Sequence, residues 1–235
     1  MTSELFALCV GANDPERLAR FWSGVLLRAT DGGVTLPPDD ATGFRIRFLP
    51  FPEPKTLHNL IHFELTSDSL AEQERTVARA LDLGARHIDV GQLPEEEHVV
   101  LADPDGNEFC VIEAGNKFLA GCGFLGALSC DGTPDVGHFW SAALGWPLVW
   151  DQDDETAIQS PHGGPKITWG GPPYMPRPEV DRLHLDLVPS AGTDQPAEVE
   201  RLLSLGAAHT GAGHDEGSVA MTDPDGNAFC VLAPR

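Results

Sequence analysis

The sequence predicts an α+β fold of four βαβββ units, arranged as two tandem domains with helices outside curved sheets. Two observations predict it. The segment LADPDGNEFCVIE (Leu101–Glu113) returns 120 residues later as MTDPDGNAFCVLA (Met221–Ala233), which indicates an internal duplication. Within each copy, helical and strand-like patterns follow one another in the same order twice. The 235 residues are enough for two modest domains, each with its own core.

Three further blocks repeat in one order at nearly the same offset. They are LARFWSGVL (18–26) with VGHFWSAAL (136–144), LIHFEL (60–65) with RLHLDL (182–187), and ALDLGARH (80–87) with LLSLGAAH (202–209). Four blocks in one order exclude coincidence. We therefore expect homologous domains at residues 1–116 and 121–235, joined near Gly115–Gly123.

The first unit of each copy begins with an apolar run, Leu5–Val10 in one and Phe124–Ser129 in the other, which predicts a buried strand. A helix follows in which Asp14 is the expected N-cap and Pro15 the first residue. Next comes an alternating strand, Phe44–Phe48, whose apolar members are separated by arginines. These patterns give the order β-α-β-β, with room for one more strand.

The second unit begins with an alternating strand that contains one histidine, in LIHFEL and RLHLDL. A second helix follows, at Leu70–Leu83 and Pro196–Leu205, and we expect Gly84 and Gly206 to end these helices as C′ residues. Two last strands flank Asp-Pro-Asp-Gly, a turn whose proline and glycine preset the backbone angles. The unit is therefore predicted as βαβββ, and the whole chain as α+β.

Composition excludes several classes of function. A formal net charge of −21 and the lack of a basic run argue against a nucleic-acid partner, because the surface would repel phosphate. No apolar stretch reaches the roughly 18–20 residues that cross a bilayer, so we expect no membrane partner. Five cysteines without a CxxC pair are typical of reduced thiols, which indicates a cytoplasmic protein.

Three features recur in both copies: the Phe-Trp pair of the first helix, the strand histidines His62 and His184, and the DPDGN-x-FCV turn. Together they resemble the vicinal oxygen chelate superfamily, which includes glyoxalase I, extradiol dioxygenases, fosfomycin-resistance transferases and bleomycin-binding proteins. The resemblance covers nearly the whole chain as two glyoxalase-like domains. It implies cup-shaped half-barrel sheets with helices outside, and a small organic ligand in the cup.

The resemblance also implies a divalent ion held by two histidines and two glutamates, and the sequence departs from that pattern. The fifth-strand histidine is present in both copies, as His62 and His184. The last-strand glutamate is replaced by Cys110 and Cys230, and the fourth-strand glutamate by Arg47 and Thr168. The first strands contain no histidine. We therefore expect no tightly bound divalent metal at the usual position in either cup, and the cofactor stays unknown.

Two histidine–acid strands are the candidate catalytic groups. Alternation places His62 with Glu64 on one strand face, and His184 with Asp186 on the corresponding face of the other copy. Each carboxylate is expected to orient its histidine and raise the histidine pKa, which suits a general base or a ligand anchor. The alternative is inherited polarity of the cup lining, satisfied by backbone or water.

Four more residues are candidate substrate-binding groups. Cys110 and Cys230 should face the cup, as zinc ligands, as nucleophiles or as small apolar residues. Arg47 either projects into the cup, where a guanidinium binds carboxylate or phosphate, or pairs with surface acids. Trp169 either stacks on a flat ligand or packs in the core. Cys9 has no evident partner and is expected to be a packing residue.

Two function classes remain open from the sequence. One is a glyoxalase-like lyase, isomerase or oxygenase that acts on a small organic molecule with a non-standard or absent metal site. The other is non-catalytic binding and sequestration of a small molecule such as an antibiotic. A third arrangement, with one working cup and one structural cup, is compatible with either class. The chain is expected to act as a monomer or homodimer.

Overall fold

A computed structural model describes residues 2–40, 42–93 and 95–233, with four helices and fifteen strands in these ranges. The elements in chain order are β1 (Ser3–Ala12), α1 (Pro15–Leu26), β2 (Thr35–Leu36), β3 (Arg45–Pro50), β4 (Ile61–Leu65), α2 (Leu70–Asp82), β5 (Arg86–His87), β6 (Val99–Ala102), β7 (Glu108–Val111), β8 (Leu125–Cys130), α3 (Pro134–Leu144), β9 (Leu148–Gln152), β10 (Glu155–Gln159), β11 (Lys166–Trp169), β12 (Leu183–Pro189), α4 (Gln195–Ser204), β13 (Ala208–Ala212), β14 (Val219–Thr222) and β15 (Ala228–Val231). The predicted α+β fold is confirmed.

Helix starts follow the predicted capping chemistry. The side chain of Asp14 accepts a hydrogen bond from Arg17 N at 3.0 Å, and Pro15 is the first helical residue of α1. Asp194 caps α4 in the same way, so this helix begins one residue earlier than predicted. After α2, Gly84 has a φ of +108°, a conformation that disfavours other residues and ends the helix.

Each of the two sheets combines strands from both sequence repeats. Sheet A has the order β13-β14-β15-β12-β1-β3-β2, and sheet B has the order β5-β6-β7-β4-β8-β11-β10-β9. The repeats meet at two antiparallel pairs, β1 with β12 and β4 with β8. The first unit contributes three strands to sheet A, whereas the second, third and fourth units contribute four each to their sheets. The domain boundaries at residues 116 and 121 stay a prediction.

The repeated Phe-Trp and DPDGN motifs contact each other in the core. Trp22 of α1 donates from Nε1 to Asp103 Oδ2 at 3.1 Å, and Trp140 of α3 donates to Asp223 Oδ2 at 3.0 Å. Asp103 is fully buried and also accepts from the backbone N–H groups of Asp105 and Asn107 in its own turn, so both of its carboxylate oxygens have hydrogen-bond partners. These motifs therefore recur because they join the two units of each repeat.

Each sheet has one face against the helices and one face opposite them. In sheet A, Leu8, Val10, Ile46 and Phe48 are buried in the core that includes α1. Alternation places the intervening residues on the opposite face, which we call cup A, and the same face of sheet B cup B. Corresponding positions form a row across each cup: Arg47, Cys9 and His184 in cup A, and Thr168, Ser129 and His62 in cup B.

Within the described ranges, no helix is both long enough and apolar enough to cross a membrane.

Candidate functional site

Cup A holds a compact group of charged and sulfur-bearing side chains around Asp186. Arg47 Nη1 donates to Asp186 Oδ2 at 3.0 Å, and Cys9 Sγ donates to the same oxygen at 3.0 Å. Arg47 also forms a bidentate ion pair with Asp215, at 2.9 and 3.0 Å. The Asp186 side chain is fully buried, yet its second oxygen, Oδ1, has no hydrogen-bond partner among the described residues.

The loop between β13 and β14 supplies His214 and Asp215 to this group. Ser218 fixes the loop, because its Oγ donates to Asp215 O at 2.6 Å and accepts from Asp215 N at 3.1 Å. Gly213 is required here, since a Cβ at this position would lie 2.2 Å from Ser218 Oγ. The loop therefore holds His214 with Nε2 at 3.4 Å from Asp186 Oδ2.

Of the two histidines of cup A, His214 is protonated at neutral pH and His184 is uncharged. Hydrogen bonds to Asp186 and Cys230 raise the pKa of His214 to about 10. Burial lowers the pKa of His184 to about 4, so neutral His184 accepts from His214 Nδ1 across 3.2 Å. Burial alone would raise the pKa of Asp186, but hydrogen bonds from His214 and Cys9 bring it below its ordinary value. Cup A is thus a network of mutually neutralising groups.

Cup B is hollow where cup A is filled. Three adjoining cavities of about 440, 370 and 620 Å³ open over cup B, each within the range typical of small-molecule sites. The first two cavities share His62, His98 and Cys110. The first and the largest share Thr168 and Phe118. The cavities therefore form one continuous region above the central strands of sheet B.

Acidic and aromatic residues divide this region. The cavity of about 440 Å³ is lined by Glu64, Glu113 and the exposed run 95–97, three consecutive glutamates. In the cavity of about 620 Å³ the rings of Trp150 and Phe118 meet edge to face, with centroids 6.0 Å apart. The indole Nε1 of Trp150 is buried without a hydrogen-bond partner in the described part of the chain. Cup B thus offers carboxylates at one end, and at the other an aromatic wall together with Lys117 and Lys166, whose Nζ lies 4.3 Å from the centre of the Phe118 ring.

The predicted rise in the pKa of the two strand histidines is wrong, although Asp186 does act in that direction on His184. Burial lowers the pKa of His62, like that of His184, to about 4, so both rings are uncharged near neutrality. His184 Nε2 lies 3.7 Å from Asp186 Oδ1, and the described residues include no hydrogen bond between His62 and Glu64. Burial, followed by repulsion from Glu113, raises the pKa of Glu64 to about 7. Desolvation therefore outweighs the attraction that the sequence pattern suggested.

At two equivalent positions cup A has larger or charged side chains where cup B leaves space. Arg47 of cup A corresponds to Thr168 of cup B, and Cys9 corresponds to Ser129. A threonine side chain is far shorter than an arginine, so it leaves free the volume that the guanidinium occupies in cup A. Arg47 does project into its cup, as one prediction had it, but its donors are engaged by Asp186 and Asp215.

The remaining predicted site residues are divided between the cups and the core. Cys110 lines two cavities of cup B, and burial raises its pKa to about 12, so it is a thiol at neutral pH. Cys230 faces cup A, with Sγ 3.4 Å from His214 Nδ1. Trp169 is 2% exposed and packs in the core, and it also lines the largest cavity of cup B. The ligand-binding roles of these residues stay predictions.

Sequence reasoning missed Cys9, His98, His214 and Asp215. The prediction that Cys9 is a packing residue without a partner is wrong, and its alternation with Leu8 and Val10 was a usable signal. No such signal existed for His214, since GAGHDEGS has no counterpart in the first repeat. His98, which lines two cavities of cup B, is the last residue of the connection between β5 and β6, and the histidine pattern of the strands did not include it.

A model of the glyoxalase-like domain matches this sequence twice, at residues 7–112 and 127–232. The chain belongs to the glyoxalase-like domain family. Nothing among the curated proteins matches it.

Solved structures share the architecture of this glyoxalase-like protein at low sequence identity. Glyoxalase I from Zea mays superimposes with a TM-score of 0.64 at 12% identity, covering 99% of this chain and 92% of that chain. A candidate dioxygenase from Bacillus subtilis subsp. subtilis str. 168 superimposes with a TM-score of 0.58 at 12% identity, covering 98% and 84%. These likenesses show the fold alone, which this chain shares with glyoxalase I.

The glyoxalase-like fold raises the question of a divalent metal, and the two cups answer it on different grounds. Cup B has Ser129, Thr168 and Cys110 beside His62, a poor donor set for a hard cation. In cup A four side chains place donor atoms within 4.8 Å of one another: Cys9, His184, Asp186 and His214. Arg47 Nη1 lies 3.0 Å from Asp186 Oδ2 and 3.3 Å from His214 Nε2, so a guanidinium already occupies the place of a cation beside these donors, and the set does not fit a divalent metal.

Proposed function

We propose that the protein binds a small organic molecule in cup B, and that the molecule carries a positively charged group. The observation that carries the proposal is the continuous cavity region over sheet B, with His62, Glu64 and Cys110 on its wall. The equivalent space in cup A is occupied by Arg47 and its two carboxylate partners. In this proposal cup B is the ligand site, because cup A has no equivalent free space between Arg47, Asp186 and Asp215.

The charge of the ligand follows from the acidic end of cup B. Glu64, Glu113 and the glutamates at 95–97 line one cavity, in a chain with net charge −21. An organic cation would favour the ionised form of Glu64, whose pKa burial otherwise raises to about 7. Phe118 and Trp150 then provide an aromatic wall for the uncharged part of the ligand. An anionic ligand would meet repulsion at the same end.

A second candidate function is metal-independent proton transfer, as in an isomerase or lyase. The pKa of Glu64 near 7 favours it, because a general acid–base group works best when its pKa is close to the working pH. In this scheme Glu64 exchanges a proton with a carbon or oxygen of the ligand. Uncharged His62, on the wall of the same cavity, accepts a hydrogen bond from the ligand or donates one to it. Without turnover, the same cup sequesters its ligand.

The binding proposal is tested by calorimetric titration of the full chain with a panel of small organic amines and carboxylates of matched size. We expect amines to bind and carboxylates not to bind. Thr168→Arg, which introduces the arginine found at the equivalent position of cup A, should abolish binding by filling the cavity. Thr168→Val is the matched control, since it keeps the volume and should retain most of the affinity. Unchanged binding by Thr168→Arg would place the site elsewhere.

Turnover is distinguished from sequestration by incubating a bound amine in deuterated water. Incorporation of carbon-bound deuterium into the ligand by the wild type, but not by Glu64→Gln, supports proton-transfer chemistry. A ligand recovered unchanged from a saturated complex supports sequestration.

A further inference from the structure

We propose that the ligand of cup B is a zwitterion, with an ammonium group at Glu64 and a carboxylate at Lys166. The inference rests on the proposed function, because it keeps the cationic group of the ligand at the acidic end of the cup. It adds an anionic group at the opposite end, in the cavity of about 620 Å³. The ligand class is then an aminocarboxylate, rather than an amine without a second charge.

Glu64 and Lys166 lie in one row across sheet B. Glu64 on β4 is the strand partner of Ala127 on β8, and Lys166 on β11 is the partner of the same alanine from the other side. Paired residues point to the same face of a sheet, so both charged side chains are on the side of cup B. Their backbones are two strand spacings apart, about 10 Å. Ala127 is fully buried and packs in one apolar cluster with Leu119, so the row between the two charges is apolar.

The protein neutralises neither of these charges. Among the described residues, no basic side chain forms an ion pair with Glu64 and no acidic side chain forms one with Lys166. Cup A differs, since its equivalent acid, Asp186, forms an ion pair with Arg47 at 3.0 Å. Cup B has Thr168 at the position of Arg47. A bound molecule that carries both charges would supply the two missing countercharges.

The lysine end of cup B offers hydrogen-bond donors. Lys166 Nζ donates to Phe118 O, and because an ammonium group has three N–H donors, two are left for a ligand. The indole Nε1 of Trp150, on the wall of the same cavity, is also a donor without an acceptor among the described residues. Glu155, the acid that lines this cavity, is exposed and lies at the other end of β10 from Gln159, the strand partner of Lys166. A carboxylate near Lys166 would therefore accept hydrogen bonds without contact to a buried acid.

An open path joins the two ends. Glu64 lines the cavity of about 440 Å³ and Lys166 lines the one of about 620 Å³, and both cavities border Thr168 and Phe118. The two charges also act on one point of the cup. Burial raises the pKa of the Cys122 thiol, an effect that Lys166 opposes and Glu64 reinforces. An extended molecule with opposite charges at its two ends matches this path.

Calorimetric titration of the full chain at pH 8 tests the inference with two matched series of probes. One series is straight-chain ω-amino carboxylates with three to six carbons. The other is the corresponding ω-amino carboxamides, which keep the ammonium group and the length but lack the negative charge. We expect one length of aminocarboxylate to bind at least about tenfold more tightly than its carboxamide, because a charge-assisted hydrogen bond to Lys166 is added.

Two lysine and arginine variants locate the anionic group. Lys166→Met keeps the length of the side chain but removes the ammonium group, and it should abolish the preference for the aminocarboxylate. Arg45→Met is the matched control, because Arg45 pairs with Ala7 in cup A as Lys166 pairs with Ala127 in cup B. This variant should keep the preference. Glu64→Gln should weaken the binding of both series.

The failure of this inference is distinguishable from the failure of the proposed function. Carboxamides that bind as tightly as the aminocarboxylates of every length would overturn the zwitterion and leave the cation site in place, and this comparison needs only the wild type. A preference that survives in Lys166→Met, or one that Arg45→Met also loses, would overturn it too. Binding of neither series would overturn the proposed function as well.

Discussion

The substitution Glu64→Gln should stabilise the protein at alkaline pH and not at acidic pH. Glu64 lies on β4 and shares a cavity with His62, with Cys110 of β7, with Glu113 after β7, and with the glutamates at 95–97 before β6. Burial, followed by repulsion from Glu113, raises its pKa from 4.5 to about 7. The folded state therefore holds an extra proton between these pH values, and glutamine mimics the protonated form.

The magnitude follows from the linkage between protonation and folding. A carboxyl whose pKa is higher in the folded state stabilises the fold at low pH, and this contribution is lost as pH rises through the folded pKa. The interval from 4.5 to about 7 corresponds to about 3 kcal/mol at most, since each pH unit is worth about 1.4 kcal/mol. Because Glu64 is partly exposed, solvent screening reduces this, and we expect about 1–3 kcal/mol at pH 8.

Urea unfolding at pH 4.5 and pH 8, followed by tryptophan fluorescence, measures the effect. Glu64→Gln should have a higher urea midpoint than the wild type at pH 8 and an equal one at pH 4.5. Glu95→Gln removes one charge from an exposed position of the same wall and is the matched control. An equal gain in the control, or a gain of Glu64→Gln that does not depend on pH, would refute the reasoning.

Three further predictions concern other parts of the molecule. Between pH 7 and pH 4, His62→Gln should lose less stability than the wild type, by up to about 3 kcal/mol, as measured by urea midpoints. The reason is that burial lowers the pKa of the wild-type ring from 6.5 to about 4, so protonation favours the unfolded chain as pH falls. Trp22→Phe should lower the free energy of unfolding by about 1–3 kcal/mol, since buried Asp103 loses a donor; an unchanged midpoint would contradict it. Co-expressed chains 1–116 and 117–235 should purify as a one-to-one complex, whereas two stable, monomeric halves would contradict the shared sheets.

Much of the fold was predictable because its signals are local or duplicated. The N-cap at Asp14, the helix end at Gly84 and the DPDGN turns each depend on a few neighbouring residues, and their chemistry is the same in any fold. The duplication then extended these signals to the second half of the chain. Strand alternation also placed Cys110 and Cys230 correctly on the cup faces.

The candidate site was less predictable because it depends on long-range contacts and on burial. Cys9 and Asp186 are 177 positions apart, and no local pattern specifies that β1 pairs with β12. The direction of the histidine pKa shifts depends on how far desolvation exceeds attraction, which sequence spacing does not give. In cup A the positive charges of His214 and Arg47 also lower the pKa of His184 and so oppose the attraction of Asp186.

The division of labour between the cups is the central claim, and backbone amide chemical-shift mapping with a bound organic amine tests it most directly. We predict that the largest shifts fall on the cup B row of His62, Ser129 and Thr168. The amides of Cys9 and Arg47 in cup A should stay unperturbed. Shifts concentrated at Cys9 and Arg47, with the cup B row unchanged, would contradict the account.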